Sequence, residues 1–485
     1  MRHDNITKDV ALVVDLDRTL ITADVAMESL VRIGMGSFRG LFTLLICLFR
    51  GRAAMKRYLA RVAPVDAAKL PYREEVLTLI REARRQGRTI ILASAAHWRT
   101  ANRVAAHLGM FDLVIASRGR TNMKGKTKLA QIRAAIGDAA FDYVGDAPAD
   151  RPIWQESRIA YTVGVATGTS HEQRLFKGRT LTRALIKAAR PHQWAKNALV
   201  FVPLATSGLM LNALAIGQAL IAFAFMSVIA SSVYILNDLV DIDSDRLHAK
   251  KRSRPLASGD LPIPVAVIAA TVMMLGGLVG SFVLLSPLTF AAMACYCGLT
   301  MTYSFRLKSA MIADVLALAC LYTIRIVAGA AAINVTTSFW LLLFSVFFFL
   351  SLGYLKRYIE LSSSARQDHE LLSGRGYIRT DTAIVAISGI AAGMVSILVV
   401  VLFAEAMGQT MSYTSPAMLW LLPLPLLYWL NRIWMMGGRG QVDSDPVAFA
   451  VTDPKSIAVG ISIAAIVMLA KYAPVMAWMA THNLV

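Results

Sequence analysis

Beyond Pro191 the chain is a series of apolar stretches, each close to the roughly 20 residues that a helix needs to cross a bilayer, and nothing else in the sequence limits the fold as much. In hydrocarbon every backbone N–H and C=O must find a partner within the protein, so such stretches become helices packed as a bundle. About nine are predicted, near residues 193–210, 213–236, 262–283, 287–305, 310–332, 337–356, 382–404, 416–435 and 456–480. Hydrophobic residues make up 56% of the 485, and the mean hydropathy of +0.54 excludes a wholly soluble protein. Loops 246–254, 306–308, 356–379 and 432–455 are basic, whereas 207–212, 284–287, 333–337 and 405–415 hold no Lys or Arg. The positive-inside rule then predicts a multi-pass protein of the cytoplasmic (inner) membrane, with the basic loops and the amino-terminal region on the cytoplasmic side.

The net charge of +19 does not imply nucleic acid, because the basic residues lie between apolar segments and form no single soluble face. Cys47, Cys295, Cys297 and Cys320 lie in apolar stretches without zinc-like or disulfide-scaffold spacing, and read as small buried hydrophobes. Met1–Lys8 is polar and lacks the apolar core of a secretory signal.

Residues 1–168 read differently. Short apolar strands at 11–14, 89–93, 113–116 and 143–144 alternate with charged helical stretches at 73–86 and 126–136, a pattern that predicts an α/β domain with a parallel sheet. Residues 169–190 read as a basic linker and an interfacial helix, with Arg183, Lys187 and Arg190 accompanying Leu181, Leu185 and Ile186. The membrane domain is expected over 191–485. Inside the first domain the apolar run Leu41–Phe49 is too short to span, and fits either a cap resting on the bilayer or a buried helix.

Chemistry concentrates first at the foot of the second apolar segment. Asn237, Asp238, Asp241 and Asp245 lead into Arg246, Lys250, Lys251, Arg252 and Arg254. On a helix Asp238, Asp241 and Asp245 share one face while Asp243 points elsewhere. A few carboxylates beside a substrate's phosphates suit Mg²⁺.

In the first domain, one strand ends in Asp15-Leu16-Asp17-Arg18-Thr19, a second at Ser94, and a third leads to Gly145-Asp146-Ala147-Pro148-Ala149-Asp150. In a parallel sheet these ends meet at one edge, where ligands collect. The set resembles the haloacid dehalogenase superfamily of phosphohydrolases over residues 9–165. The resemblance implies a Rossmann-like fold with a helical cap at about 24–70, Asp15 as the nucleophile and Asp17 as general acid and base. It also implies that Ser94 binds the phosphoryl oxygens and that Asp15, Asp17, Asp146 and Asp150 make up the Mg²⁺ site. A lysine would neutralise the developing charge, with Lys128 preferred over Lys126.

The Asn237-Asp238-x-x-Asp241 cluster and the many spans resemble the UbiA superfamily of intramembrane prenyltransferases, over residues 185–485. Members hold a prenyl diphosphate with two Asp-rich motifs. Where the second should begin, this sequence reads Gly353-Tyr354-Leu355-Lys356-Arg357-Tyr358-Ile359-Glu360, without paired aspartates. Two cations in place of a metal site suit a bare anion such as a lipid monophosphate. Together with Pro191–Asn197, Asn237–Gly259 and Asp445–Phe449, that departure resembles the decaprenyl-phosphate phosphoribosyltransferase branch. The resemblance implies phosphoribosyl diphosphate as donor and polyprenyl phosphate as acceptor. Asp238 and Asp241, with Asn237 and Asp245, would then hold Mg²⁺ on the donor, Lys251, Arg252 and Arg254 would bind its phosphates, and Lys356 and Arg357 would orient the lipid phosphate.

Arg325 lies deep in a span, eleven residues after Asp314 and so on the same helix face. An intramembrane charge points to a substrate-binding role, with pairing to a neighbouring helix as the alternative. Lys196, Asn197, Tyr303 and Glu360 are weaker candidates. The two halves together suggest a bifunctional enzyme. The membrane half would make a polyprenyl phosphoribose 5-phosphate, and the soluble half would remove the 5-phosphate, yielding a ribosyl lipid for cell-envelope glycans and a downstream epimerase or glycosyltransferase. The alternatives are an aromatic-acid prenyltransferase carrying a separate phosphatase, or an amino-terminal module that only senses a phosphometabolite.

Overall fold

A computed structural model describes residues 10–36, 52–118, 121, 123–164, 167, 169–176, 180–363, 375–408, 413–442 and 445–473. The chain forms two compact units. One joins Met1–Ala189 with Tyr234–Ala270, and the other joins Arg190–Val233 with Thr271–Val485.

The first unit is built on a six-stranded parallel sheet in the order β3-β2-β1-β4-β5-β6, with β1 Ala11–Val14, β2 Ile90–His97, β3 Leu113–Ser117, β4 Phe141–Gly145, β5 Ala160–Val163 and β6 Glu172–Phe176. β1 and β4 are buried along their whole length, as strands covered by helices on both faces must be. Alternate residues feed two cores: Leu12, Val14 and Leu92 pack with Val76, Ile80 and Val104, while Val13 and Ile91 pack with Ile132, Ile153 and Trp154. Val14 pairs with Leu92 on one side and Val144 on the other, so β1 and β4 end within one residue of each other while β2 runs on past Ser94 to His97. The order reverses at β1 and β4, which makes the gap beyond their carboxyl ends the natural ligand site.

Helices Val25–Gly36 and Arg52–Val62 form a cap on a small core of Ile33, Met55 and Leu59. The run Leu41–Phe49 lies outside the described residues. The stretch expected to begin the linker holds β6 instead, which pairs with β5. Its polar sequence hides it, because an edge strand needs no apolar face. An amphipathic helix follows at Leu181–Ala189, with Ala184 and Ala188 buried and Leu181 and Ile186 exposed.

Six helices among the described residues are long and apolar enough to cross a membrane: Ala213–Val240, Ile263–Leu284, Ala313–Ala332, Phe339–Ser362, Arg379–Met407 and Pro454–Tyr472. Pro287–Phe305 is a further helix of 19 residues. The expected spans at 193–210 and 416–435 are interrupted. The first divides into a 3₁₀ segment, Pro191–Phe201, and a short helix, Val202–Ser207; the second into Pro416–Leu421 and Pro423–Gly438. Each new segment has proline in its first turn, where the missing N–H costs nothing, and that same proline could not sit inside one continuous helix without breaking its ladder. Cys297 is buried as expected, whereas Cys295 and Cys320 are exposed on their helices.

Candidate active site

Asp15 directly follows β1. Its N–H donates to the Val144 carbonyl at 3.0 Å, and its carboxylate accepts from the Leu16 N–H at 2.9 Å. The chain then turns tightly through Leu16–Leu20, with Arg18 in the left-handed region at φ +58. This turn sends the Asp17 carboxylate to the Val25 N–H, 2.9 Å away at the start of the cap helix. Lys128, from helix Lys126–Ile136, is only 2% exposed, while Lys126 faces solvent. The Lys128 Nζ lies 3.1 Å from Asp15 Oδ1 and 3.3 Å from Asp150 Oδ1, and donates to the Tyr143 hydroxyl at 2.9 Å. Ser94 is fully buried in β2, and its Oγ accepts from the Ala96 N–H. A cavity of about 520 Å³ opens over Asp15, Asp17, Lys128 and Asp146, with Met27 and Leu59 of the cap on its far side.

Asp15, Asp146 and Asp150 bring carboxylate oxygens within 4.8 Å of one another. Burial pushes the Asp15 carboxyl up to about 6 against the pull of Lys128. Burial, then the charges of Asp15 and Asp150, push Asp146 up to about 7. Asp150 Oδ2 is buried without a hydrogen-bond partner among the described residues. Three crowded carboxylates with an orphaned oxygen fit a hard divalent cation held by oxygen ligands. Asp17, expected in the same set, points to the cap helix instead, and Thr19, which the sequence reading missed, donates to Asp146 at 3.2 Å.

In residues 234–270 the long helix ends at Val240 and a new short one spans Ile242–Leu247, so the acidic motif crosses a helix break. Bonds from the Asp241 N–H to the Asn237 carbonyl and from the Asp245 N–H to the Asp241 carbonyl carry the helical register across it. Asp238 and Asp245 therefore still converge, and Arg254 Nη1 stands between them at 3.1 and 2.6 Å. Asp243 points away, to Arg32 at 2.7 Å. Lys251 and Arg252 lie on an exposed 3₁₀ turn.

In the second unit Arg357 is fully buried, with Nε 2.8 Å from Asp314 Oδ2 and Nη1 bonded to Glu360. Its Nη2 has no hydrogen-bond partner among the described residues. Asp314 also accepts from the Tyr377 hydroxyl at 2.7 Å. Lys356, adjacent in sequence, acts electrostatically on Asp445, which is bonded to Lys196. Burial would raise the Asp445 carboxyl, but Lys196 and Lys356 hold it below its ordinary range. Arg325 belongs to a different set. It donates to Asn197 Oδ1 at 2.9 Å, to the Tyr296 hydroxyl at 3.2 Å and to the Leu321 carbonyl, and stacks over the Tyr296 ring. Helix pairing, the alternative weighed for Arg325, is what this geometry describes. Asp314 takes Arg357 as its partner, not the Arg325 of its own helix.

Two family models match the chain: the UbiA prenyltransferase family over residues 200–452 and the haloacid dehalogenase-like hydrolases over residues 12–155. The chain belongs to the UbiA prenyltransferase family and carries a haloacid dehalogenase-like domain at its amino terminus. It is a multi-pass membrane enzyme with a transferase half and a phosphatase half. Its relatives include uncharacterized protein y4nM of Sinorhizobium fredii, 35% identical over 96% of this chain and 92% of that one. Nodulation protein NoeC of Azorhizobium caulinodans is 36% identical over 56% of this chain and 88% of its own. Decaprenyl-phosphate phosphoribosyltransferase of Mycobacterium tuberculosis is 35% identical over 38% of this chain and 63% of its own.

Proposed function

We propose that the chain makes polyprenyl-phosphoryl ribose in two steps at the cytoplasmic face of the inner membrane, for cell-envelope glycan synthesis. The membrane half transfers 5-phosphoribosyl from phosphoribosyl diphosphate to polyprenyl phosphate, and the amino-terminal half removes the 5-phosphate. One observation carries the reading: a phosphatase site with Asp15, Asp17, Lys128, Asp146 and Asp150 in place occurs in the same chain as a transferase half similar to enzymes named for phosphoribosyl transfer.

In the first reaction an oxygen of the lipid phosphate bonds to the anomeric carbon as the bond to diphosphate breaks. Lys356 and Arg357 hold the acceptor phosphate, and the unpartnered Nη2 of Arg357 is a donor suited to it. Arg254 turns from Asp238 and Asp245 to the donor's phosphates, with Lys251 and Arg252 reaching them from the loop. In the second reaction Asp15 attacks the 5-phosphorus, Asp17 gives its proton to the departing ribose O5, and Lys128 neutralises the phosphoryl oxygens. Ser94 binds those oxygens from the neighbouring strand. Asp17 then takes a proton from water, which releases inorganic phosphate and restores Asp15. Mg²⁺ held by Asp15, Asp146 and Asp150, and by Asp238, Asp241 and Asp245 with Asn237, would supply positive charge to the phosphates at each site.

Pyrophosphate release from phosphoribosyl diphosphate is expected to require polyprenyl phosphate and to be lost in Asp241→Asn. No release from phosphoribosyl diphosphate in the presence of polyprenyl phosphate, by a protein that does release pyrophosphate while coupling a prenyl diphosphate to an aromatic acid, contradicts the assignment. Mg²⁺ is expected to stabilise the wild type against heat, by about 2.7 kcal/mol at a hundredfold excess over its dissociation constant. Asp146→Asn should shrink that gain, and equal gains in calorimetry would count against the carboxylate site.

A further inference from the structure

The short helix Ile242–Leu247 has two faces with different partners. Asp245 looks toward Arg254 and Asp238, inside the transferase motif. Arg246, the next residue, turns the opposite way and forks onto Glu28 of the cap helix, with Nη2 2.5 Å from Oε1 and Nη1 3.1 Å from Oε2. This pair is almost dry, with side chains 6% and 1% exposed. Arg246 Nε also donates to the Ala257 carbonyl, which ties the following loop to the same junction. Asp243 reaches Arg32 one turn further along the cap helix. Thr22, just before that helix, donates to the Ser258 carbonyl at 2.6 Å. Next to it Gly259, at φ +76, lies so close that a Cβ would come 2.3 Å from the Thr22 hydroxyl. All these residues belong to the first unit.

The gripped helix is the one whose first amide, Val25 N–H, holds the Asp17 carboxylate. A second cavity of about 280 Å³ lies at the junction, lined by Glu28, Arg246 and Asp260, and it shares Arg18, Asp24 and Asp146 with the phosphatase cavity. We propose that the acidic loop of the transferase is a working part of the phosphatase: Arg246 and Glu28 are positioning residues that fix the cap helix, and through it the carboxylate of Asp17. The loop that would hold the donor diphosphate thereby also sets the acid that would act on the product. Buried charges on two partners make a latch that neither side can leave without stranding a desolvated ion.

The inference rests on the phosphatase reading above, and its test separates the two. Full-length protein in nanodiscs is assayed with p-nitrophenyl phosphate and with ribose 5-phosphate. A p-nitrophenolate departs without a proton, whereas the ribose alkoxide needs one from Asp17. The comparison uses kcat/KM, which covers only the steps up to the aspartyl phosphate. Glu28→Gln is expected to lower the ribose 5-phosphate value relative to the p-nitrophenyl phosphate value by roughly 10-fold or more, part of the 10²–10⁴ that a placed general acid supplies. The charge-reversed pair, Glu28→Arg with Arg246→Glu, should restore the ratio. If Glu28→Gln does not fold, Arg32→Ala, which leaves the Glu28–Arg246 pair in place and opens the outer contacts to Asp243 and the Pro64 carbonyl, should move the ratio in the same direction. A wild type that cleaves both esters, with folded variants that leave the ratio unchanged, overturns the latch alone. A wild type that cleaves neither ester overturns the phosphatase reading and the latch with it.

Discussion

Replacing Asp15 with asparagine is expected to stop removal of the 5-phosphate, with a fall of at least about 10³-fold, as is usual when a covalent nucleophile is lost. Asparagine keeps the size of the side chain and its acceptor for the Leu16 N–H, but its neutral amide cannot attack phosphorus. Lys128 retains Asp150 and the Tyr143 hydroxyl as partners, so the site should stay assembled. Polyprenyl phosphate-dependent release of pyrophosphate should continue, because that step uses other residues. Inorganic phosphate and pyrophosphate, measured in the same reaction, check both halves of the expectation. Loss of both products from a folded Asp15→Asn protein would show that the halves cannot be treated as separate centres.

Arg357→Leu should lower both stability and transfer. Among the described residues Asp314 would keep hydrogen bonds from the Tyr377 hydroxyl and the Val315 N–H, and the more distant charge of Arg375, in a fully buried setting. Leaving one member of a buried ion pair alone costs about 3–5 kcal/mol. Combining Arg357→Leu with Asp314→Asn removes the stranded charge, and the double variant should recover most of the lost unfolding temperature. It should not recover transfer, because the cation proposed to hold the lipid phosphate is still missing. A double variant that regained full transfer would make Arg357 a packing residue and no more.

These two sites were legible in the sequence to different depths. Asp15, Asp17, Ser94 and Asp146 stand at the ends of strands that are apolar and bounded by turns, so their meeting at one sheet edge follows from the parallel order alone. The choice of Lys128 over Lys126 is a matter of helix phase, which the structure displays as burial of one and exposure of the other. For Arg325, helix phase gives the face shared with Asp314 but says nothing about which neighbouring segment each side chain meets. Arg357 and Asn197 lie on other segments, and they are the partners found. The Glu28–Arg246 pair joins residues 218 apart and leaves no periodic trace in either segment. The proline-broken segments at 191–207 and 416–438 show a further limit, because a window of mean hydropathy does not register where the backbone ladder is cut.

The central claim, two consecutive reactions on one lipid by one chain, is tested most directly by the mass of the lipid product. Purified protein is given polyprenyl phosphate, phosphoribosyl diphosphate and Mg²⁺, and the extracted lipid is weighed by mass spectrometry for the wild type and Asp15→Asn. The wild type should yield polyprenyl-phosphoryl ribose, and Asp15→Asn the same lipid heavier by one phosphate. A wild type that accumulates the phosphorylated lipid, or an Asp15→Asn variant that still yields the ribosyl lipid, would contradict it.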